Sequence, residues 1–143
     1  MYRKSQFGTT LVGILFVPLI AIIIINFTIQ KKSIYILASV LIFFIIIILL
    51  FFKLSIHVNK ERIRISFGIG IIKKSFIVNE IISCKIVKNP WYYSWGIHTT
   101  PKGWIYNVSG SRGIEIEMKN GRVYRIGSPE PEKLCEAINN AMK

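Results

Sequence analysis

Four large aromatic side chains, Trp91, Tyr92, Tyr93 and Trp95, fall within five positions of the stretch Pro90-Trp91-Tyr92-Tyr93-Ser94-Trp95-Gly96-Ile97-His98. Trp and Tyr join an apolar body to a polar tip, which suits a membrane interface, a partner surface or a ligand pocket. The same rings could instead plug the open end of a small barrel that lacks aliphatic bulk of its own. His98 closes the stretch. Lys102 and Arg112 flank it, where they could meet phosphate or carboxylate groups or simply remain solvated. These seven residues are the candidate ligand or partner contacts.

Other residues with chemical potential do not assemble into a reaction centre. His57 and His98 have no Cys or carboxylate at ligand spacing, so no metal site is expected. Cys84 and Cys135 lack an adjacent His or a paired Cys, which leaves no activated nucleophile. Glu115 and Glu117 share one strand face, and cross-strand arginine partners explain them more simply than acid–base work. Gly68-Ile69-Gly70 lacks the third glycine and the following helix of a phosphate loop. The expectation is a binding module without cofactor or catalytic residues, not an enzyme.

The elements that must position these residues begin with two uncharged apolar runs, Ser5 to Gln30 and Ser33 to Phe52, separated only by Lys31 and Lys32. Each matches the roughly 20 apolar residues that a helix needs to cross a bilayer, so spans are expected at about 7–29 and 33–52. Sixteen residues of the second run are Ile, Leu, Val or Phe, which favours insertion by several kcal/mol. Pro18 predicts a kink in the first span, tolerable in lipid where a neighbouring helix covers the freed carbonyl. A cleaved signal peptide fits less well, because the apolar stretch is too long and no small-residue cleavage site ends it. Basic residues near the span ends number six on the side of the termini (Arg3, Lys4, Lys53, Lys60, Arg62, Arg64) against Lys31 and Lys32 in the turn. Both termini are therefore expected in the cytoplasm, in a multi-pass plasma-membrane (bacterial inner-membrane) protein. Two cysteines agree with a reducing compartment, although they could form one bridge.

Beyond Phe52 lie all seven acidic residues and fifteen of the nineteen basic ones. Such a basic domain gains from an anionic leaflet, or its charge simply obeys the positive-inside rule. No nucleic-acid motif accompanies the charge, so nucleic acid is not an expected partner. The lipid bilayer is, together with a membrane-protein partner or a second copy through Gly8, Gly13 and Ala21 or Ala38 and Ser39.

From Leu54 the apolar period changes to alternation, which predicts strands. Ile56 and Val58, then Ile63, Ile65 and Phe67, form a hairpin about Lys60-Glu61, with His57 on the face opposite Ile56. Further strands are expected over Ile71 to Val78, Ser83 to Lys88, Trp104 to Val108, Ile114 to Met118 and Arg122 to Ile126, with Asn89 to Lys102 a long connection. For the last hairpin, a three-residue Lys119-Asn120-Gly121 loop with Gly121 left-handed pairs Ile114 with Ile126 and Ile116 with Tyr124. That register sets Glu115 opposite Arg125. Ser128-Pro129-Glu130-Pro131-Glu132 is a helix start, and Leu134, Cys135, Ile138, Ala141 and Met142 form one apolar stripe.

Gly103 to Gly110, Gly113-Ile114-Glu115-Ile116, Asn120-Gly121-Arg122, Ile126-Gly127 and Pro131-Glu132-Lys133-Leu134 resemble the C-terminal part of bacterial PH-like (pleckstrin-homology-like) domains in small membrane proteins with two spans. The resemblance covers about the last forty residues, and the earlier strands by pattern. It implies an α+β chain: a transmembrane hairpin over residues 1–53, then a cytoplasmic PH-like antiparallel barrel of about seven strands with one C-terminal helix over residues 54–143. It carries over no catalytic residue. Where such domains place an arginine soon after the glycine of the aromatic loop, this chain has Ile97-His98.

Overall fold

The structure, a computed structural model, describes residues 1–28, 34–90, 93 and 95–143 of the 143-residue chain. Its first element is a strand, β1 (Tyr2–Phe7), which leads through Gly8 into the apolar helix α1 (Thr9–Thr28). A second apolar helix, α2 (Ile34–Phe51), returns and runs into β2 (Lys53–Val58), the antiparallel partner of β1 from Tyr2 opposite Val58 to Phe7 opposite Lys53. The helical hairpin is thus an insertion between two paired strands. Phe52 carbonyl accepts from Gly8 N–H at 2.7 Å, extending the ladder to the root of the helices. The Lys53 ammonium lies 5.8 Å from the centre of the Phe7 ring beside it.

Both helices are long and apolar enough to cross a membrane, and they pack on each other. In their most apolar windows 0% of α1 and 6% of α2 is buried by protein, so their side chains need an apolar surrounding that the chain itself does not supply. Helix α1 continues through Pro18.

Four strands form the first sheet in the order β1-β2-β3-β4, with β3 (Arg62–Phe67) and β4 (Ile72–Ile77) added as antiparallel neighbours. Alternation dictates its inner face. Leu54, Ile56, Val58, Ile63, Ile65 and Phe67 are buried, while Arg62, Arg64 and His57 remain on the outer side. A 3-10 turn (Val78–Glu80) leads to the second sheet, of order β5-β8-β9-β7-β6, built from β5 (Ile81–Lys88), β6 (Gly96–Thr100), β7 (Gly103–Asn107), β8 (Arg112–Met118) and β9 (Val123–Gly127). Helix α3 (Pro131–Met142) packs against β5 and β8, burying Leu134, Cys135 and Ile138. Phe76 from the first sheet lies 4.8 Å from Tyr124 of the second, ring centre to ring centre, and joins the two inner faces. Burial of each such side chain contributes about 2 kcal/mol.

The α+β class stands, but the expected closed barrel does not form: the strands divide into sheets of four and five. Among the described residues nine strands replace the expected seven, β1 and β6 being the additions. Nor is the arrangement wholly antiparallel, because the β6–β7 hairpin crosses β8 and β9 to place β7 parallel to β9. The last hairpin follows the expected register, with Ile114 opposite Ile126, Ile116 opposite Tyr124 and Glu115 opposite Arg125. Arg125 Nε donates to Glu115 Oε2 at 2.7 Å, and Gly121 takes φ +77°.

Both cysteines are free. Burial pushes the Cys84 thiol well above its ordinary pKa, and neighbouring Cys135 adds to the rise. Alkylation of Cys84 by iodoacetamide near pH 8 is accordingly expected to run about tenfold slower in the native protein than in urea, read by mass spectrometry. Equal rates would show an open thiolate.

Candidate functional site

The region around the aromatic connection is built by two turns meeting the root of α1. Asn89 N–H donates to Ser111 carbonyl at 2.6 Å, tying the end of β5 to the turn before β8. Asn107 spans the same turn, its Nδ2 donating to Gly110 carbonyl at 3.0 Å and its Oδ1 accepting from Ser109 N–H at 3.3 Å. Gly127 lies against Asn107 so closely that any side chain there would collide with its amide. Ser109 then reaches α1: its hydroxyl is 2.8 Å from that of Thr10, and its carbonyl accepts from Gln6 Nε2 at 2.5 Å.

Between these turns and the first turn of α1 lies an open cavity of about 600 Å³, lined by Thr10, Lys88, Asn89, Pro90, Trp95 and Asn107 among others. Asn89 is only 4% exposed, yet among the described residues neither Nδ2 nor Oδ1 has a hydrogen-bond partner, and the indole Nε1 of Trp95 is also buried without one. Buried polar groups are ordinarily satisfied, so three unmatched atoms along one cavity mark it as the candidate site. The amide offers two donors and one acceptor, the indole one donor, and Lys88 a cation. That set suits a small group bearing carbonyl, hydroxyl or carboxylate oxygens. It contains no nucleophile held by a base.

The candidate contacts separate. Trp91 and Tyr92 lie outside the described residues. Tyr93, half-buried, carries the Arg125 guanidinium 5.5 Å from its ring centre and shares a smaller cavity of about 210 Å³ with Lys102, Glu115 and Arg125. Trp95 belongs to the larger cavity, and its carbonyl accepts from His98 Nε2 at 2.7 Å. His98 stands on β6 opposite Ile105 and lines neither cavity. Arg112 is ion-paired with Glu132 in the first turn of α3, away from both. The Glu132 carboxyl sits below its ordinary pKa, first because its own backbone N–H at the helix start stabilises the anion and then because of Arg112. Asn89 and Thr10 are the residues that sequence alone misses. A single Asn after a strand carries no signal, and Thr10 reads as the beginning of an apolar run.

The class these features define is an α+β protein in which a four-stranded sheet holds an apolar helical hairpin, with a largely apolar cavity bearing a few polar groups at the hairpin's root. Comparison with known protein families and with curated protein sequences finds no match.

Proposed function

We propose that this chain is a membrane-anchored, non-enzymatic binding module. Its two apolar helices span the plasma membrane, a bacterial inner membrane, with both termini in the cytoplasm, and fix a PH-like cap against the inner leaflet. The spanning reading is supported by the length of the helices and by their unburied side chains. Removal of residues 1–30 as a signal peptide would take away β1, the edge strand of the first sheet. The pairing of β1 with β2 requires both ends of the hairpin on one side, and the basic residues at those ends favour the cytoplasm. The PH-like reading draws on strand order. Without the β6–β7 hairpin, the chain is two antiparallel meanders, β1 to β4 and β5-β8-β9, followed by a helix.

The activity is docking of a membrane-protein partner beside the cap, carried by one observation: the unmatched Asn89 amide and Trp95 indole along the cavity at the root of α1. Tethering raises the effective concentration of such a neighbour, so a modest patch suffices. A photo-crosslinking residue at position 111, which lines the same cavity, is expected in intact cells to give a discrete protein adduct that weakens about tenfold when Asn89→Leu removes the amide. The same residue at Glu136, on the exposed side of α3, should give none. Adducts to lipid alone would favour the alternative, recognition of anionic lipid or a small ligand by the cap and its aromatic loop; no position-specific adduct would defeat both.

A further inference from the structure

The outer face of the first sheet is a second, separate surface, built by register rather than by any loop. Two rows of side chains cross its four strands. Ser5, Ser55, Ser66 and Lys73 are aligned in one, and Arg3, His57, Arg64 and Ser75 in the other. All of these but Ser5 line an open cavity of about 640 Å³ to which Arg62 and Lys74 also contribute and no carboxylate does. Four cations elsewhere in the cap have carboxylate partners, Lys4 and Lys133 with Glu130, Arg112 with Glu132 and Arg125 with Glu115, whereas five gather on this face with no carboxylate beside them. Among the described residues, none of Arg3, Arg62, Arg64, Lys73 or Lys74 has an ion-pair partner. Because no carboxylate lines this face, an anion held there has to come from outside the chain.

Position selects its source. The serine row lies two residues beyond the Phe7–Lys53 pair at the root of the helices, and the arginine row four residues beyond. Counted from Thr9 and Phe51, where the helices end, the rows lie four and six residues out, at most about 14 and 20 Å at about 3.4 Å per residue. The headgroup layer on each side of a bilayer is about 5 to 8 Å deep, so a sheet tilted over the leaflet brings the serine row to it first and the arginine row next. Hydroxyl and ammonium or guanidinium donors in two adjacent rows are the chemistry that holds phosphodiester oxygens.

We infer that this serine- and arginine-lined sheet face binds the phosphate groups of anionic phospholipids in the leaflet from which α1 and α2 emerge. The inference rests on the membrane-anchored reading and concerns a face other than the Asn89 cavity. It gives the cap a fixed tilt on the membrane, since one face is held by lipid.

The test uses the full chain in nanodiscs of phosphatidylcholine alone or with about 30% phosphatidylglycerol. Lysines are acetylated with a neutral reagent and rates read by mass spectrometry. Lys73 is expected to react about fivefold slower in the anionic discs, with Lys85 and Lys119 changed less than about twofold. About 0.5 M NaCl, where the screening length falls to roughly 4 Å, should restore the Lys73 rate. Arg3→Gln with Arg64→Gln should abolish the protection, and Arg3→Lys with Arg64→Lys should keep it. Equal Lys73 rates in the two discs overturn the proposal. So does equal protection by millimolar glycerol phosphate in neutral discs, which assigns the face to a soluble phosphate, or slowing of all lysines alike. Failure of the chain to co-elute with discs is a different result, and it counts against membrane anchoring itself.

Discussion

A chain in which residues 9–51 are replaced by Asn-Gly is expected to fold in water as the intact cap, without detergent. Gly8 and Phe52 are already joined by a backbone hydrogen bond and continue the β1–β2 register, so they are the pair that a two-residue type I′ turn closes. The complementary chain, residues 53–143 alone, loses six paired residues of β1, the Gln6 bond to Ser109 and the Lys4 ion pair with Glu130. At about 1 kcal/mol net for each lost hydrogen bond, about six in the ladder and one from Gln6, the deficit is about 7 kcal/mol, a large share of the 5–15 kcal/mol that holds a typical domain together. Urea unfolding followed by circular dichroism gives the comparison. Equal stability of the two chains would mean that β1 is not part of the sheet.

Gly68→Ala is expected to loosen the cap from the helices far more than its size implies. Gly68 sits at φ +52° in the turn between β3 and β4, donates to Lys53 carbonyl at 2.7 Å, and passes so close to the Leu49 and Leu50 carbonyls that a Cβ would strike both. Ile69 N–H also donates to Leu49 carbonyl at 3.2 Å, so this turn closes the C-terminal end of α2. Backbone strain of about 1–3 kcal/mol and a steric clash of similar size give roughly 4 kcal/mol in the full chain. In the Asn-Gly chain, which lacks Leu49 and Leu50, only the strain remains. Gly121→Ala provides the reference, because Gly121 has φ +77° with open space around it and should cost about 1 kcal/mol in either chain. The measurement is thermal unfolding of the cap in both backgrounds. An equal loss for Gly68→Ala in both would refute the junction.

What could be read directly from the residues was local. The β8–β9 register followed from Gly121 and from the need to bury Ile114, Ile116, Tyr124 and Ile126 together, and the α3 stripe from its period. His57, opposite in sense to buried Ile56, is likewise where alternation places it. Strand β1 was hidden because Tyr-Arg-Lys-Ser-Gln-Phe has only its two ends apolar and merges into the helix that follows. Its pairing with β2, across the whole hairpin, has no local signature. Strand β6 was absorbed into the aromatic connection, and the parallel pairing of β7 with β9 is a long-range choice that no turn announces. The seven candidate contacts were chosen by residue type, and the fold distributes the described ones among two cavities, a strand and an ion pair. The orphaned Asn89 amide is visible only once everything around it has been placed.

The insertion of the helical hairpin between β1 and β2 bears on how such a chain is made. In the membrane-spanning arrangement, β1 leaves the ribosome ahead of both helices and waits, unpaired, until both hydrophobic segments have been threaded and Val58 has been synthesised. A product that crosses the bilayer an odd number of times strands the two halves of the ladder on opposite faces, where they can never meet. Assembly of the first sheet is then a built-in parity check on membrane insertion, and a faulty product displays an unmatched strand edge to the proteases that clear it.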